Sequence, residues 1–152
     1  WSPNSVSMPG TEANAMKNYY PGDMYVDWLG VSCYPPSLSA TYPEERRYPL
    51  TLMQGIKQVS ADKPIMISEG GYSSTCDHQR WVREWFKLKD EEPRVKAVVW
   101  ENHENAENGD RRLQSDPLAL ELYKELVQDP YWLDLIPDAV YSEIETRKNN
   151  SK

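Results

Sequence analysis

Apolar residues fall into three short runs, each followed by a segment with helical spacing. The first, Val26-Asp27-Trp28-Leu29-Gly30-Val31-Ser32, lies between the turn signal Tyr20-Pro21-Gly22-Asp23 and Tyr34-Pro35-Pro36. A largely apolar run bounded by Pro and Gly predicts a buried strand. A helix is predicted next, from about Leu50 to Val59, with Leu52, Ile56 and Val59 on one face. Lys63-Pro64 then leads into Ile65-Met66-Ile67-Ser68, a second strand broken by Glu69-Gly70-Gly71. Asp77 is placed to cap a helix that carries Trp81, Val82, Trp85 and Leu88 at helical spacing. Val95-Lys96-Ala97-Val98-Val99-Trp100 predicts a third strand. Asp116-Pro117 supplies the cap and first position of a last helix, with Leu118, Leu122 and Leu126 along one stripe.

The predicted strand ends at Ser32, Ser68 and Trp100 are 36 and 32 residues apart, the period of successive strand–helix–strand units with right-handed crossovers. Continuous apolar strands imply burial on both faces, hence a parallel sheet under helices. The fold class is therefore α/β, and two architectures stand open: a doubly wound sheet, or part of an eight-fold barrel. Residues 131 to 144 add a terminal helix or wrap, and residues 148–152 read as a frayed tail.

Composition narrows the partners. The chain has 152 residues, enough for one globular domain, and 24 acidic against 17 basic residues give a net charge of −7. That balance disfavours nucleic acid and anionic membranes. No run approaches the roughly 18 apolar residues of a membrane helix. The opening Trp1-Ser2-Pro3-Asn4 shows no signal peptide and no initiator Met, so the chain is expected to be cut at its front. Cys33 and Cys76 form no CxxC motif; a bridge between them is geometrically conceivable, since both fall near one rim of the sheet. Against a single Phe stand 6 Trp and 10 Tyr. Amphipathic aromatics in that excess suit either a sugar-binding surface or a Tyr- and Trp-rich core.

Candidate chemistry lies at the strand ends, because ligands bind at the carboxyl ends of parallel strands. Glu69 stands out: a buried strand delivers one carboxylate to the rim, and Gly70-Gly71 lets the backbone turn away. Such a carboxylate is either a nucleophile or general base, or a structural group bonding the next loop. Tyr34 and Trp100 are expected to flank it from the adjacent strands, with Glu101 following Trp100. An aromatic plane beside a carboxylate is what a pyranose subsite needs, and core packing is the alternative for each. His78 and His103 with Glu101 and Glu104 lack His-Glu-x-x-His spacing, so no metal is expected. Gly30-Val31-Ser32-Cys33-Tyr34 lacks the second Gly of a serine nucleophile elbow, and no glycine-rich phosphate loop is present.

These residues carry a resemblance. The segment from Tyr19-Tyr20-Pro21-Gly22-Asp23 through Tyr25-Val26-Asp27-Trp28 to Tyr34 resembles strand six, with its approach, of glycoside hydrolase family 26. Lys63-Pro64 through Glu69-Gly70 is similar to strand seven, whose closing Glu is that family's nucleophile. Val95 to Trp100 resembles strand eight, which ends in a Trp lining the cleavage subsite, and Trp1-Ser2-Pro3-Asn4 matches the end of strand five. The likeness spans about residues 1 to 127. Two departures stand beside it: the family's acid/base Glu closes a strand that would precede Trp1, and the loop Glu101-Asn102-His103-Glu104-Asn105 stands where the family commonly has an aromatic-rich loop with an Arg.

The resemblance implies the C-terminal half of a (β/α)8 barrel, end of strand five through helix eight, over residues 1–147; a whole barrel needs about 250 residues. It implies retaining hydrolysis of a β-linked polysaccharide such as β-mannan, with Glu69 as nucleophile and Tyr34, Trp100, Trp1 and Asn4 as substrate-binding residues. The expected partners are the polysaccharide and the missing N-terminal half. No cofactor or metal is expected, the fragment alone is expected to be inactive, and an extracellular or periplasmic location follows from the family. Two other readings are a noncatalytic carbohydrate-binding module with Tyr and Trp platforms and an open-sheet solute-binding lobe.

Overall fold

A computed structural model describes residues 1–35, 49, 53–74, 76–105 and 109–132. Three parallel strands, β1 (Leu29–Cys33), β2 (Ile65–Gly70) and β3 (Val95–Trp100), form one sheet in the order β1-β2-β3. Between them run a short helix α1 (Gln54–Lys57) and a long one, α2 (His78–Glu91); α3 (Pro117–Leu126) follows. A two-stranded antiparallel ribbon, β4 (Glu104–Asn105) and β5 (Gly109–Asp110), extends the loop after β3. The sheet is thus an α/β arrangement built from crossovers.

Local chemistry sets these boundaries. Asp77 caps α2 by accepting from the Arg80 backbone N–H at 2.9 Å, and Asp116 caps α3 by accepting from Leu118 and Ala119 at 3.0 and 3.1 Å. Gly22 takes a φ of +105° in the turn before β1, a backbone region that other residues rarely occupy. Asp23 in that turn accepts from Tyr20 at 2.6 Å and from Ser60 at 3.1 Å, tying the turn to the far side of α1.

Pairing in β1 starts at Leu29, later than the predicted Val26, because the first ladder bond runs from Leu29 N–H to the Pro64 carbonyl at 2.9 Å. The apolar residues before it stay outside the sheet, and Trp28 is 40% exposed. In place of the predicted break after Ser68, β2 runs on to Gly70, whose carbonyl accepts from Glu101 at 2.7 Å. On α3 the packed stripe is Ala119, Leu122, Tyr123 and Leu126, while Leu118 is 66% exposed. Spacings of three, four and seven from Ala119 keep that face on the core and turn Leu118 outward. The first part of the predicted helix, at Leu50 and Leu52, and residues 133–152, with the terminal wrap and tail, lie outside the described residues.

The core lies between the sheet and the helices. Leu29, Val31 and Cys33 of β1, Ile65 and Ile67 of β2 and Val95 of β3 are fully buried, as are Met53 and Ile56 at α1. Trp81, Val82, Trp85 and Leu88 of α2 close over them. Fully burying side chains of this size contributes about 1.5–3 kcal/mol each, more for the tryptophans. Cys33 and Cys76 are both free thiols, so the conceivable bridge is not formed.

Residues 1–5 run parallel to the outer edge of β1. Gly30 N–H donates to the Trp1 carbonyl at 2.7 Å, Ser32 N–H to Pro3 at 3.2 Å, and Ser5 N–H to Ser32 at 3.2 Å.

Candidate active site

β2 aims its carboxylate through a register slip. Val31 pairs with Ile67, yet Ser32 pairs with Glu69, and on the other side Ile67 and Gly70 face Val98 and Trp100. One extra residue is therefore inserted in β2 between Ile67 and Gly70. Ile67 and Gly70 both face the helices: Ile67 is fully buried, and a side chain on Gly70 would collide with the Trp85 ring. Ser68 and Glu69 share the opposite face, the one on which Ser32 stands. Unbroken alternation from Ile65 and Ile67 would have sent Glu69 among the tryptophans. The bulge re-aims it.

Glu69 is exposed and held by two hydroxyls. The Tyr34 hydroxyl donates to its Oε1 at 2.6 Å, and Ser32 Oγ donates to Oε2 at 3.3 Å. Next to it, Ser2 and Ser68 share a hydroxyl–hydroxyl bond of 2.6 Å. Tyr34 also lies within reach of Glu101; burial, then the two carboxylates, push its phenol well above the ordinary tyrosine range.

The loop after β3 supplies the rest. Glu101 forms an ion pair with the nearly buried Arg111, and His103 Nδ1 lies 3.1 Å from the same carboxylate. Burial works against the charge on Glu101, but the Tyr34 hydroxyl and the Arg111 guanidinium outweigh it and hold the carboxyl below its usual range. The Arg111 guanidinium lies over the Tyr34 ring, 4.0 Å from its centre. Its Nε–H is buried without an acceptor among the described residues.

The residues expected to form the site are thus only partly assembled. Tyr34 reaches Glu69. Trp100 differs from expectation: its indole packs edge-on against Tyr72, Trp85 and Tyr123, on the helix side of the sheet. It pairs with Gly70, and both face away from Glu69; among the described residues it bears on the site through its Nε1–H, which donates to the Arg111 carbonyl at 3.0 Å. Trp1 and Asn4 line a separate hollow of about 230 Å³ with Val6, Met16 and Tyr19, of which Glu69 is not a wall. Trp1 packs edge-on against Tyr20 there, 5.2 Å between ring centres.

Ser32 and Arg111 escaped the motif-based reading. Ser32 carried a weak signal as the last predicted residue of the first strand. Arg111 carried none, since it sits in a polar stretch whose fold depends on the β4–β5 ribbon.

His78 lies elsewhere. Its ring stacks on Tyr72 at 3.9 Å between centres, and its nitrogens meet Asp116 Oδ2 at 3.1 Å and the Ser73 carbonyl at 3.0 Å. That geometry joins the start of α2 to the cap of α3.

No protein-family model matches the chain. The chain is similar to Endoglucanase H of Acetivibrio thermocellus, with 29% identity over 113 residues. The matched stretch covers 72% of this chain and 12% of that protein, so the chain spans a small part of its relative's length.

Proposed function

We propose that this chain is the C-terminal half of a (β/α)8 retaining glycoside hydrolase in which Glu69 is the nucleophile. One observation carries the reading: the bulge in β2 brings the Glu69 carboxylate to the carboxyl end of a parallel sheet, with its oxygens fixed by Tyr34 and Ser32. The similarity to an enzyme named as an endoglucanase supports a glycoside hydrolase, and sets a glucan beside β-mannan as a substrate to assay.

In this reading Oε1 is tied by the short Tyr34 bond, and Oε2, which takes the longer Ser32 bond, attacks the anomeric carbon. The glycosidic C–O bond breaks as a second carboxylic acid protonates the leaving oxygen, leaving a glycosyl ester on Glu69. Water, deprotonated by that second carboxylate, then releases the sugar with net retention. The second group would be a Glu on the barrel half that precedes Trp1, about 5–5.5 Å from Glu69. General acid–base help is worth about 10²–10⁴-fold, so these residues alone should show no measurable turnover.

The test is trapping. In the barrel completed with its N-terminal half, an activated 2-deoxy-2-fluoro-glycoside should leave one covalent sugar on the peptide containing Glu69, and Glu69→Ala should abolish both label and polysaccharide cleavage. Label on another residue, or turnover that survives Glu69→Ala, would overturn the assignment. Sugar binding without any turnover in the completed protein would favour the binding-module reading.

A further inference from the structure

We propose that Arg111 is a positioning residue that decides which carboxylate receives the Tyr34 proton, and so holds Glu69 in its working orientation. The inference rests on the reading of Glu69 as nucleophile for its catalytic consequence, though not for its geometry.

Tyr34 has one O–H and two carboxylates within reach, Glu69 at 2.6 Å and Glu101. A phenol donates most strongly to the carboxylate whose charge is least satisfied. Glu101 is already neutralised by Arg111 and approached by His103, whereas the partners of Glu69 among the described residues are hydroxyls. The hydroxyl still reaches Glu101 and helps hold it charged, but the ion pair weakens Glu101 as a competitor, and the close bond goes to Glu69 at 2.6 Å.

The same guanidinium covers the face of the Tyr34 ring, which stands beyond Cys33, the last ladder residue of β1. Arg111 can act as a fixed plate because it is itself anchored. Its N–H donates to the His103 carbonyl at 3.1 Å, its own carbonyl accepts from Trp100, and its stem passes close to Gly71. A planar guanidinium can pair with a carboxylate along its edge while its face lies flat on a ring; an ammonium group has no flat face to stack.

The experiment is carbon-13 NMR on this chain, with labelled Tyr ring carbons and Glu carboxyl carbons assigned through Tyr34→Phe, Glu69→Gln and Glu101→Gln. In the unmodified chain, Arg111 δ-protons should show contacts to the Tyr34 ring; their absence would overturn the proposal with no variant needed. Arg111→Met should move the Tyr34 and Glu69 resonances together as the hydroxyl turns to Glu101. Adding Glu101→Gln to Arg111→Met should return them, a rescue that a merely structural role would not produce. Unmoved resonances in Arg111→Met, or no recovery in the double variant, would refute it. In the completed barrel, Arg111→Met should lower kcat by about 10- to 100-fold with KM little changed; an unchanged kcat would overturn the positioning role. No sugar enters the NMR arm, so failure of Glu69 in the trapping test leaves that arm independent.

Discussion

Trp85 on α2 fills the space that a side chain on Gly70 would need. A Cβ built on Gly70 falls well inside contact distance of the indole, and the Cys33 carbonyl crowds it from the neighbouring strand. The close approach of helix to sheet behind Glu69 therefore depends on a missing side chain. At Gly71 the nearest atom, the Glu101 carbonyl oxygen, would stand at 3.5 Å, an ordinary contact.

Gly70→Ala should therefore destabilise the fold by about 1–3 kcal/mol, as overpacked cores do. Gly71→Ala should cost clearly less. Urea unfolding midpoints of the two variants, side by side, check the contrast; equal effects would show that α2 can shift to make room.

The cap of α3 should be sensitive to acid. Bonds from Ala119 and Leu118 N–H and from His78 hold the Asp116 carboxyl below its usual range despite partial burial. A depressed folded-state pKa gives stability that is complete above the unfolded value and lost as pH falls through the folded one. Asp116→Ala should cost about 1–2 kcal/mol at neutral pH, and its stability should fall less steeply than that of the unmodified chain below roughly pH 4. Denaturant titrations across that range measure both slopes.

At the alkaline end Tyr34 governs. Burial and the facing carboxylates raise its phenol pKa in the fold, so its contribution is complete below the ordinary value of 10.0 and lost as pH climbs above it. Burial likewise raises Tyr72 and Tyr123, and Tyr20 is pushed up to about 12. Thermal midpoints should drop above pH 10, and Tyr34→Phe should flatten the drop. An unchanged slope in that variant would show that Tyr34 ionises freely.

The thiols should react in order. Cys33 is fully buried and its thiol is pushed up by desolvation; Cys76 is partly exposed, its thiol raised less severely. A thiol-specific reagent should modify Cys76 first, and Cys33 only on unfolding. Peptide mapping after brief labelling reads the order.

Local patterns were legible in the sequence. The caps Asp77 and Asp116, the turn at Gly22, the strand from Val95 to Trp100 and the carboxylate at the end of β2 each follow from a few neighbouring residues acting through nearby backbone groups. Which face a residue takes was not legible, because it depends on what each strand meets across the ladder. Simple alternation would have turned Glu69 inward; only pairing with both β1 and β3 at once forces the extra residue that turns it out beside Ser32. The same pairing commits Trp100 to the helix side opposite Gly70. Arg111 meets Tyr34 and Glu101 only after the chain has crossed the sheet and doubled back through a ribbon. Spacing along a chain determines where carboxylates and rings occur; the register of neighbouring strands decides which of them share a face, since one inserted residue reverses every side chain beyond it.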